Sequence, residues 1–151
     1  MYLTTELKAY YMQDFNKNVL NCQDDFWKLD DNLRDLFIKI NKNQNVQTLY
    51  SRRMNTTTDP NKVSMLWILY SAKTSIKTFK AFKKEITKSV PSFRGGYNYH
   101  LHTDFDNKVK MGCMNDKKYF KHGALMLTMK SQDLNEHKLF WDIIEKHLPN
   151  F

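Results

Sequence analysis

The sequence predicts a single α+β domain, residues 1–151, in which amphipathic helices pack on one face of a mostly antiparallel sheet. Segments with apolar residues at helical spacing alternate with short apolar segments of strand length, which is the pattern of this fold class. The length of 151 residues fits one domain. With 41% hydrophobic and 14% aromatic residues, the chain has enough apolar side chains for a packed core, so we expect it to fold.

The first third of the chain predicts one helix and two short strands. Apolar residues recur at helical spacing behind Thr4 or Thr5 as an N-cap, so a helix is expected from Thr5 to Val19. Leu36 to Ile40 is β-branched and aromatic, which favours a strand, although a helix fits the apolar spacing nearly as well. Val46 to Tyr50 predicts the second strand.

A buried strand and the clearest helix follow. Lys62 to Ser71 is almost continuously apolar, which predicts a strand buried on both faces, and the polar residues before it form a loop of turn-forming type. Pro91 and the Gly95-Gly96 pair end the next helix. The apolar stripe of that helix consists of Ile76, Phe79, Phe82 and Ile86.

The last third predicts extended segments, a strand and a final helix. Tyr97 to Thr103 and Val109 to Met114 are expected to be extended, and Ala124 to Met129 to be a strand. Asp133 and Glu136 resemble a capping box that opens the last helix. Its buried side is expected to consist of Leu139, Phe140, Ile143, Ile144 and His147.

The charge of the chain favours an anionic partner. Lys and Arg number 24 against 16 Asp and Glu, for a net charge of +8. The spacing of five lysines places them opposite the apolar stripe: Lys73, Lys77, Lys80, Lys84 and Lys88. A solvated helix face is the simpler interpretation, but such a face usually alternates Glu with Lys, and only Glu85 does so here.

Other residues extend this basic surface and favour nucleic acid. Arg52, Arg53 and Arg94 carry guanidinium groups suited to phosphate. Tyr50, Tyr97 and Tyr99 are candidates to stack on bases.

His100-Leu101-His102 is the motif that most resembles an enzyme site. On a strand both imidazoles face the same side and could bind one divalent ion, with Asp104 continuing that face. Tyr119 would then be the nucleophile of a metal-dependent single-strand nuclease. The alternative is that these histidines contact RNA or water. The sequence has no P-loop, GxGxxG or Ser/His/Asp elbow, so we predict a protein that is not an enzyme, with no catalytic residues, no cofactor and no bound metal.

An ordered series of segments resembles one ribosomal protein family. The segments that carry it are Leu7–Tyr11, Leu36–Ile40, Val63–Tyr70, Phe79 with Phe82, Pro91, Phe93-Arg94-Gly95, Phe105-Asp106, Gly112, Gly123–Met129, Asp133–Leu148 and Pro149-Asn150-Phe151. This series resembles the universal large-subunit ribosomal protein L-five family, with Leu36–Ile40 in place of the first strand. The helix that follows that strand in the family is missing between Asn41 and Val46, and a shortened, Asn-rich copy is typical of an organellar member.

The resemblance implies a structural constituent of the large ribosomal subunit, most plausibly in the mitochondrial matrix. Its implied partners are 5S and/or large-subunit ribosomal RNA in the central protuberance, P-site tRNA, neighbouring large-subunit proteins and a small-subunit head protein. No membrane contact is expected, since no apolar run is long enough for a span. The implied tRNA-contacting loop includes Arg52, Arg53, Asn55, Thr56 and Thr57. The expected RNA-binding residues are Arg52, Arg53, Lys73, Lys77, Lys80, Lys84, Lys88, Arg94, Tyr97, Tyr99 and His100.

Overall fold

The computed structural model describes residues 2–22, 31–52, 62–96 and 123–151. Four helices and a four-stranded sheet form these segments, which confirms the predicted α+β class. The elements are α1 (Thr5–Asp14), α2 (Asp31–Asn41), β1 (Val46–Arg52), β2 (Val63–Tyr70), α3 (Ile76–Ser89), β3 (Phe93–Gly96), β4 (Ala124–Lys130) and α4 (Leu134–His147). Two short helical turns follow α1 and α4, a π-helical one over Phe15–Leu20 and a 3-10 one over Leu148–Asn150.

The sheet is antiparallel throughout, with strand order β1-β2-β4-β3. Side chains alternate between its two faces. Leu66, Ile68 and Leu127 lie on the face that contributes to the main core, which α2, α3 and α4 cover. Leu69 and Ala124 lie on the opposite face, in a smaller cluster with residues from the start of the chain. The predicted strands over residues 46–50, 62–71 and 124–129 are confirmed.

The predicted first helix is present. Thr4 is its N-cap, and the Thr4 hydroxyl accepts a hydrogen bond from the Leu7 amide at 3.2 Å. The helix widens into the π-helical turn at Phe15, whose side chain is buried in the main core. The chain therefore stays helical through Val19 as expected, with a change of hydrogen-bonding pattern in its last third.

A buried lysine attaches α1 to the rest of the domain. Lys8 is 4% exposed, and its ammonium donates hydrogen bonds to three backbone carbonyls. The acceptors are Asn41 O at 2.8 Å, Asn43 O at 3.1 Å and Val46 O at 2.6 Å. These carbonyls lie at the end of α2 and the start of β1, where a helix leaves acceptors without partners of its own. Burial lowers the pKa of Lys8 from 10.5 to about 8.

The predicted strand over Leu36–Ile40 is wrong, because these residues belong to α2. Leu33, Leu36, Phe37 and Ile40 are all buried in the main core. That spacing is the helical period, and it prevails over the strand propensity of the individual residues. The resemblance to the L-five family placed a strand here, so the structure departs from the family pattern at this element.

The helix predicted before Pro91 is α3, capped by the hydroxyl of Ser75, which accepts from the Thr78 amide at 3.1 Å. Phe79, Phe82 and Ile86 are buried as expected. Ile76 is 41% exposed, because it occupies the first turn of the helix, beyond the edge of the core.

The last helix is α4, and half of its predicted capping box is present. The Asp133 carboxylate accepts from the Asn135 amide at 2.9 Å. The Glu136 carboxylate instead accepts from the Ser92 amide at 2.6 Å, and the Asp133 amide donates to Ser131 Oγ. Glu136 therefore links α4 to the turn before β3.

The buried side of α4 also differs from the prediction. Its buried residues are His137, Phe140, Trp141, Ile143 and Ile144. Leu139 is 44% exposed, since it lies one position away from the buried stripe. Phe151 is buried against the rings of Tyr70 and Phe82.

Candidate nucleic-acid interface

Five lysines form an exposed surface along and just before α3, which we call the lysine ridge. Its members are Lys73, Lys77, Lys80, Lys84 and Lys88, and all five are exposed. The buried residues of α3 face the sheet, so the lysines of the helix point away from the core. At 1.5 Å per residue, the helical part of the ridge extends over ~16 Å.

Lys73 belongs to the ridge but not to the helix. The sequence placed it on the helix face, whereas α3 begins at Ile76. The reason is the Ser75 N-cap, which starts the helix after a turn in which the Lys73 amide donates to Ser71 Oγ at 3.2 Å. Lys73 therefore continues the ridge beyond the N-terminal end of α3.

Glu85 does not neutralise the ridge, contrary to what the sequence suggested. Its carboxylate is bound by the imidazole of His147 and by the ammonium of Lys146, at 3.0 Å, both from α4. These two hydrogen bonds, that of His147 first, lower the pKa of Glu85. The carboxylate joins α3 to α4 on the flank of the helix.

The other ion pairs of the described segments also lie away from the ridge. Lys39 pairs with Glu145 at 3.3 Å, and Lys138 pairs with Asp142 at 2.9 Å. Among the residues that the structure describes, no carboxylate pairs with a ridge lysine. Like charges at i,i+3 and i,i+4 destabilise a helix by ~0.2–0.5 kcal/mol per pair. The ridge therefore costs the fold stability, and its positive charge is available to a ligand.

Arg94 is separated from the ridge by the sheet. In the β3–β4 register, Phe93 pairs with Met129, and both are buried on the face that α3 covers. Arg94 is the next residue, so it lies on the opposite face, where it is exposed. The structure thus brings the lysines together but places Arg94 on another surface.

One further predicted RNA-binding residue, Arg52, is the last residue of β1. The others lie outside the described residues: Arg53, Asn55, Thr56, Thr57, Tyr97, Tyr99 and His100. The same holds for His102 and Tyr119, so the nuclease hypothesis stays a prediction.

A buried serine–histidine pair was not predicted from the sequence. Ser64 Oγ accepts from the indole N–H of Trp141 at 3.1 Å and lies 2.7 Å from His137 Nδ1. His137 Nε2 lies 2.8 Å from the carbonyl of Ser131, which can only accept, so Nε2 carries the proton and Nδ1 accepts from Ser64. Ser64 is 0% exposed and His137 5%. These hydrogen bonds satisfy the buried polar groups of Ser64, His137 and Trp141, and they hold α4 against β2.

Comparisons with known proteins identify no relative. No family model, no curated protein and no solved structure matches the chain. Within the described segments, no three His, Cys, Asp or Glu side chains are grouped to bind a metal ion. None of the helices described is long and apolar enough to span a membrane.

Proposed function

We propose that this protein is a non-catalytic, RNA-binding structural component of the large subunit of a mitochondrial ribosome. The observation that carries the proposal is the lysine ridge, whose ammonium groups are exposed on one side of the domain and pair with no carboxylate of the described residues. Folded RNA presents closely spaced phosphates, and lysines that neutralise them release bound counterions. Such a surface gains affinity from phosphates without a chemical step.

The resemblance to the L-five family supports the choice of target. It directs the ridge and Arg94 toward ribosomal RNA of the central protuberance, 5S RNA and/or large-subunit RNA. It directs the loop that begins at Arg52 toward P-site tRNA, and it adds neighbouring large-subunit proteins and a small-subunit head protein as contacts. The α+β fold is compatible with this assignment, although α2 replaces the first strand of the family pattern.

The direct test removes the charge of the ridge without changing its shape. We expect Lys77→Gln, Lys80→Gln, Lys84→Gln and Lys88→Gln, combined in one variant, to weaken binding to structured ribosomal RNA about 10²-fold near 0.1 M salt. The slope of log affinity against log salt should fall by about 3 in magnitude, because each phosphate contact contributes ~0.7–0.9. Both quantities can be read from filter binding or fluorescence anisotropy over a salt series.

A matched control separates the ridge from net charge. Four exposed lysines on other surfaces can be changed to glutamine in one variant: Lys17, Lys39, Lys42 and Lys138. This variant loses the same charge but should keep most of the affinity and of the salt slope. Equal losses in the two variants would show that the ridge is not the RNA interface.

The cellular assignment needs a separate experiment. The native protein should sediment with the large ribosomal subunit after a wash at high salt, because many phosphate contacts and protein neighbours hold it there. Migration with the small subunit, or release into the soluble fraction at moderate salt, would contradict the assignment to the large subunit. RNA binding by the ridge is tested separately, with the ridge variant.

A further inference from the structure

A second cationic site lies on the far side of the sheet from the lysine ridge. A depression of about 350 Å³ opens where the turn after α3 leads into β3 and where β4 ends. Its lining residues are Pro91, Ser92, Arg94, Thr128, Met129 and Lys130. This volume is in the range of small-ligand sites.

The strand register brings three side chains with hydrogen-bond donors together at this depression. Arg94 is directly opposite Thr128 in the β3–β4 pair, and Lys130 is two residues further along β4. All three therefore lie on one face of the sheet. Directly opposite residues have Cβ atoms ~5 Å apart and diagonal ones ~7–8 Å apart, so an arginine and a lysine there can bind one ligand.

The two cations of this site are not neutralised within the described segments. Arg94 and Lys130 are exposed, and neither pairs with a carboxylate there. Arg94 Nη1 donates to its neighbour's carbonyl, Phe93 O, at 2.8 Å, which holds the guanidinium against β3 and leaves its other N–H groups available. The Glu136 carboxylate, which contacts the adjacent turn, accepts from the Ser92 amide at 2.6 Å.

We infer that Arg94, Thr128 and Lys130 form a phosphate-binding site, which we call the phosphate notch. The guanidinium fork can donate two hydrogen bonds to one phosphate, the ammonium supplies a point charge, and the Thr128 hydroxyl supplies a third donor. The notch binds a single phosphate group, whereas the ridge contacts several successive phosphates of an RNA backbone. Because α3 covers the opposite face of the sheet, a phosphate in the notch does not compete for the ridge lysines.

Two sources can supply the phosphate, namely an RNA backbone and free orthophosphate. NMR titration of the full chain distinguishes them, with the Arg94 Nε–H signal and the Thr128 and Lys130 amides as reporters. Sodium phosphate and a ten-nucleotide RNA are titrated separately at constant ionic strength. An RNA backbone is the source if the RNA saturates these signals at about tenfold lower phosphate concentration than orthophosphate. The free ion is the source if orthophosphate saturates them and the RNA does not.

A double variant gives the decisive control. In the double variant Arg94→Gln and Lys130→Gln, we expect the apparent affinity for phosphate, read from the Thr128 amide shift, to fall at least about tenfold. Lys17→Gln with Lys42→Gln removes the same charge elsewhere and should leave these shifts unchanged. The proposal is overturned if neither titrant moves the reporters, or if both variants respond alike. The amides of α3 report the ridge in the same spectra, so failure of the notch and failure of the ridge are read separately.

Discussion

Lys8 and the lysine ridge use the same side chain in opposite ways. Lys8 is 4% exposed and donates to three carbonyls of its own chain, whereas the ridge lysines are exposed and pair with no carboxylate that the structure describes. The buried ammonium satisfies acceptors that the fold leaves open between α2 and β1. The exposed ammonium groups repel one another and add nothing to the fold.

The difference indicates which positive charges stabilise the protein and which are available to ligands. A buried charge is retained only where hydrogen bonds compensate its desolvation, so Lys8 should be intolerant of substitution. An uncompensated exposed charge is tolerated by the fold and lends itself to binding. Substitution of Lys8 should therefore lower the stability of the fold, whereas substitution of the ridge lysines should lower the affinity for ligands.

The largest expected effect is that of Lys8→Met. Methionine fills much of the same space but leaves the buried carbonyls of Asn41 and Val46 without the Lys8 donor, and each such loss costs ~1–3 kcal/mol. The Asn43 carbonyl keeps a second donor, the Val46 amide at 3.4 Å. We expect the free energy of unfolding to fall by about 3 kcal/mol or more, measured by urea denaturation at pH 7.

Lys42→Met serves as the control, because Lys42 is exposed and directly follows α2, the helix whose last carbonyl Lys8 binds. Its effect should stay within about 0.5 kcal/mol. Equal stabilities of the two variants would remove the distinction between a buried structural lysine and an exposed one.

The second effect is a dependence of stability on alkaline pH. Burial lowers the pKa of Lys8 to about 8 in the folded protein, against 10.5 when unfolded. Between these values the unfolded chain binds more protons, so the contribution of Lys8 to stability rises with pH, by up to ~3 kcal/mol. Below pH 8 both states are protonated and the contribution is constant.

The measurement compares the wild-type protein with Lys8→Met from pH 7.5 to 10.5, because other titrating groups cancel in the difference. The gap in the free energy of unfolding should widen as the pH rises. A gap that narrows with rising pH would mean that the three carbonyl hydrogen bonds outweigh burial and hold the pKa of Lys8 above its ordinary value.

A smaller effect is expected from Glu85→Gln. This variant tests whether the carboxylate stabilises the fold by joining α3 to α4, or only offsets the charge of the ridge lysines. The amide cannot bind His147 and Lys146 as an anion does, and the loss should be about 1 kcal/mol at pH 7 because the site is partly solvated. Since these partners lower the pKa of Glu85, its contribution is present above pH 4.5 and is lost as the pH falls through the lowered value.

Glu145→Gln is the matched control, since Glu145 pairs only with the exposed Lys39 in the described segments and should cost less than about 0.5 kcal/mol. Thermal unfolding of both variants at pH 7 and at pH 4 tests the difference. If Glu85→Gln were neutral at both pH values, the carboxylate would not join α3 to α4.

The ridge could be predicted from the sequence, and the notch could not, for a physical reason. Residues three and four apart share a helix face, so the spacing of Lys77, Lys80 and Lys84 is enough to place them together. Arg94 and Thr128 are far apart in the chain and meet only through the register of β3 with β4. A single sequence contains no measure of that register, so Lys130 and Thr128 carried no signal.

The same reason explains the errors in the fold. Leu36–Ile40 satisfies both strand propensity and helical spacing, and only its packing in the core selects the helix. Lys8 gave no signal either, because its carbonyl acceptors belong to a turn that approaches α1 only in the folded domain. Glu136 fitted a capping box locally but binds the Ser92 amide, a contact that is long-range in sequence.

The smallest expected effect is an increase in stability when the ridge is neutralised. Four like-charged pairs at i,i+3 or i,i+4 lie along α3: Lys77 with Lys80, Lys80 with Lys83, Lys80 with Lys84, and Lys84 with Lys88. Their conversion to glutamine should raise the free energy of unfolding by up to ~1 kcal/mol at low salt, and the gain should shrink at high salt as the charges are screened. The same variant should bind RNA about 10²-fold more weakly, so its stability and its affinity change in opposite directions. A ridge variant that loses stability instead would place these lysines in the same class as Lys8, as groups that the fold requires.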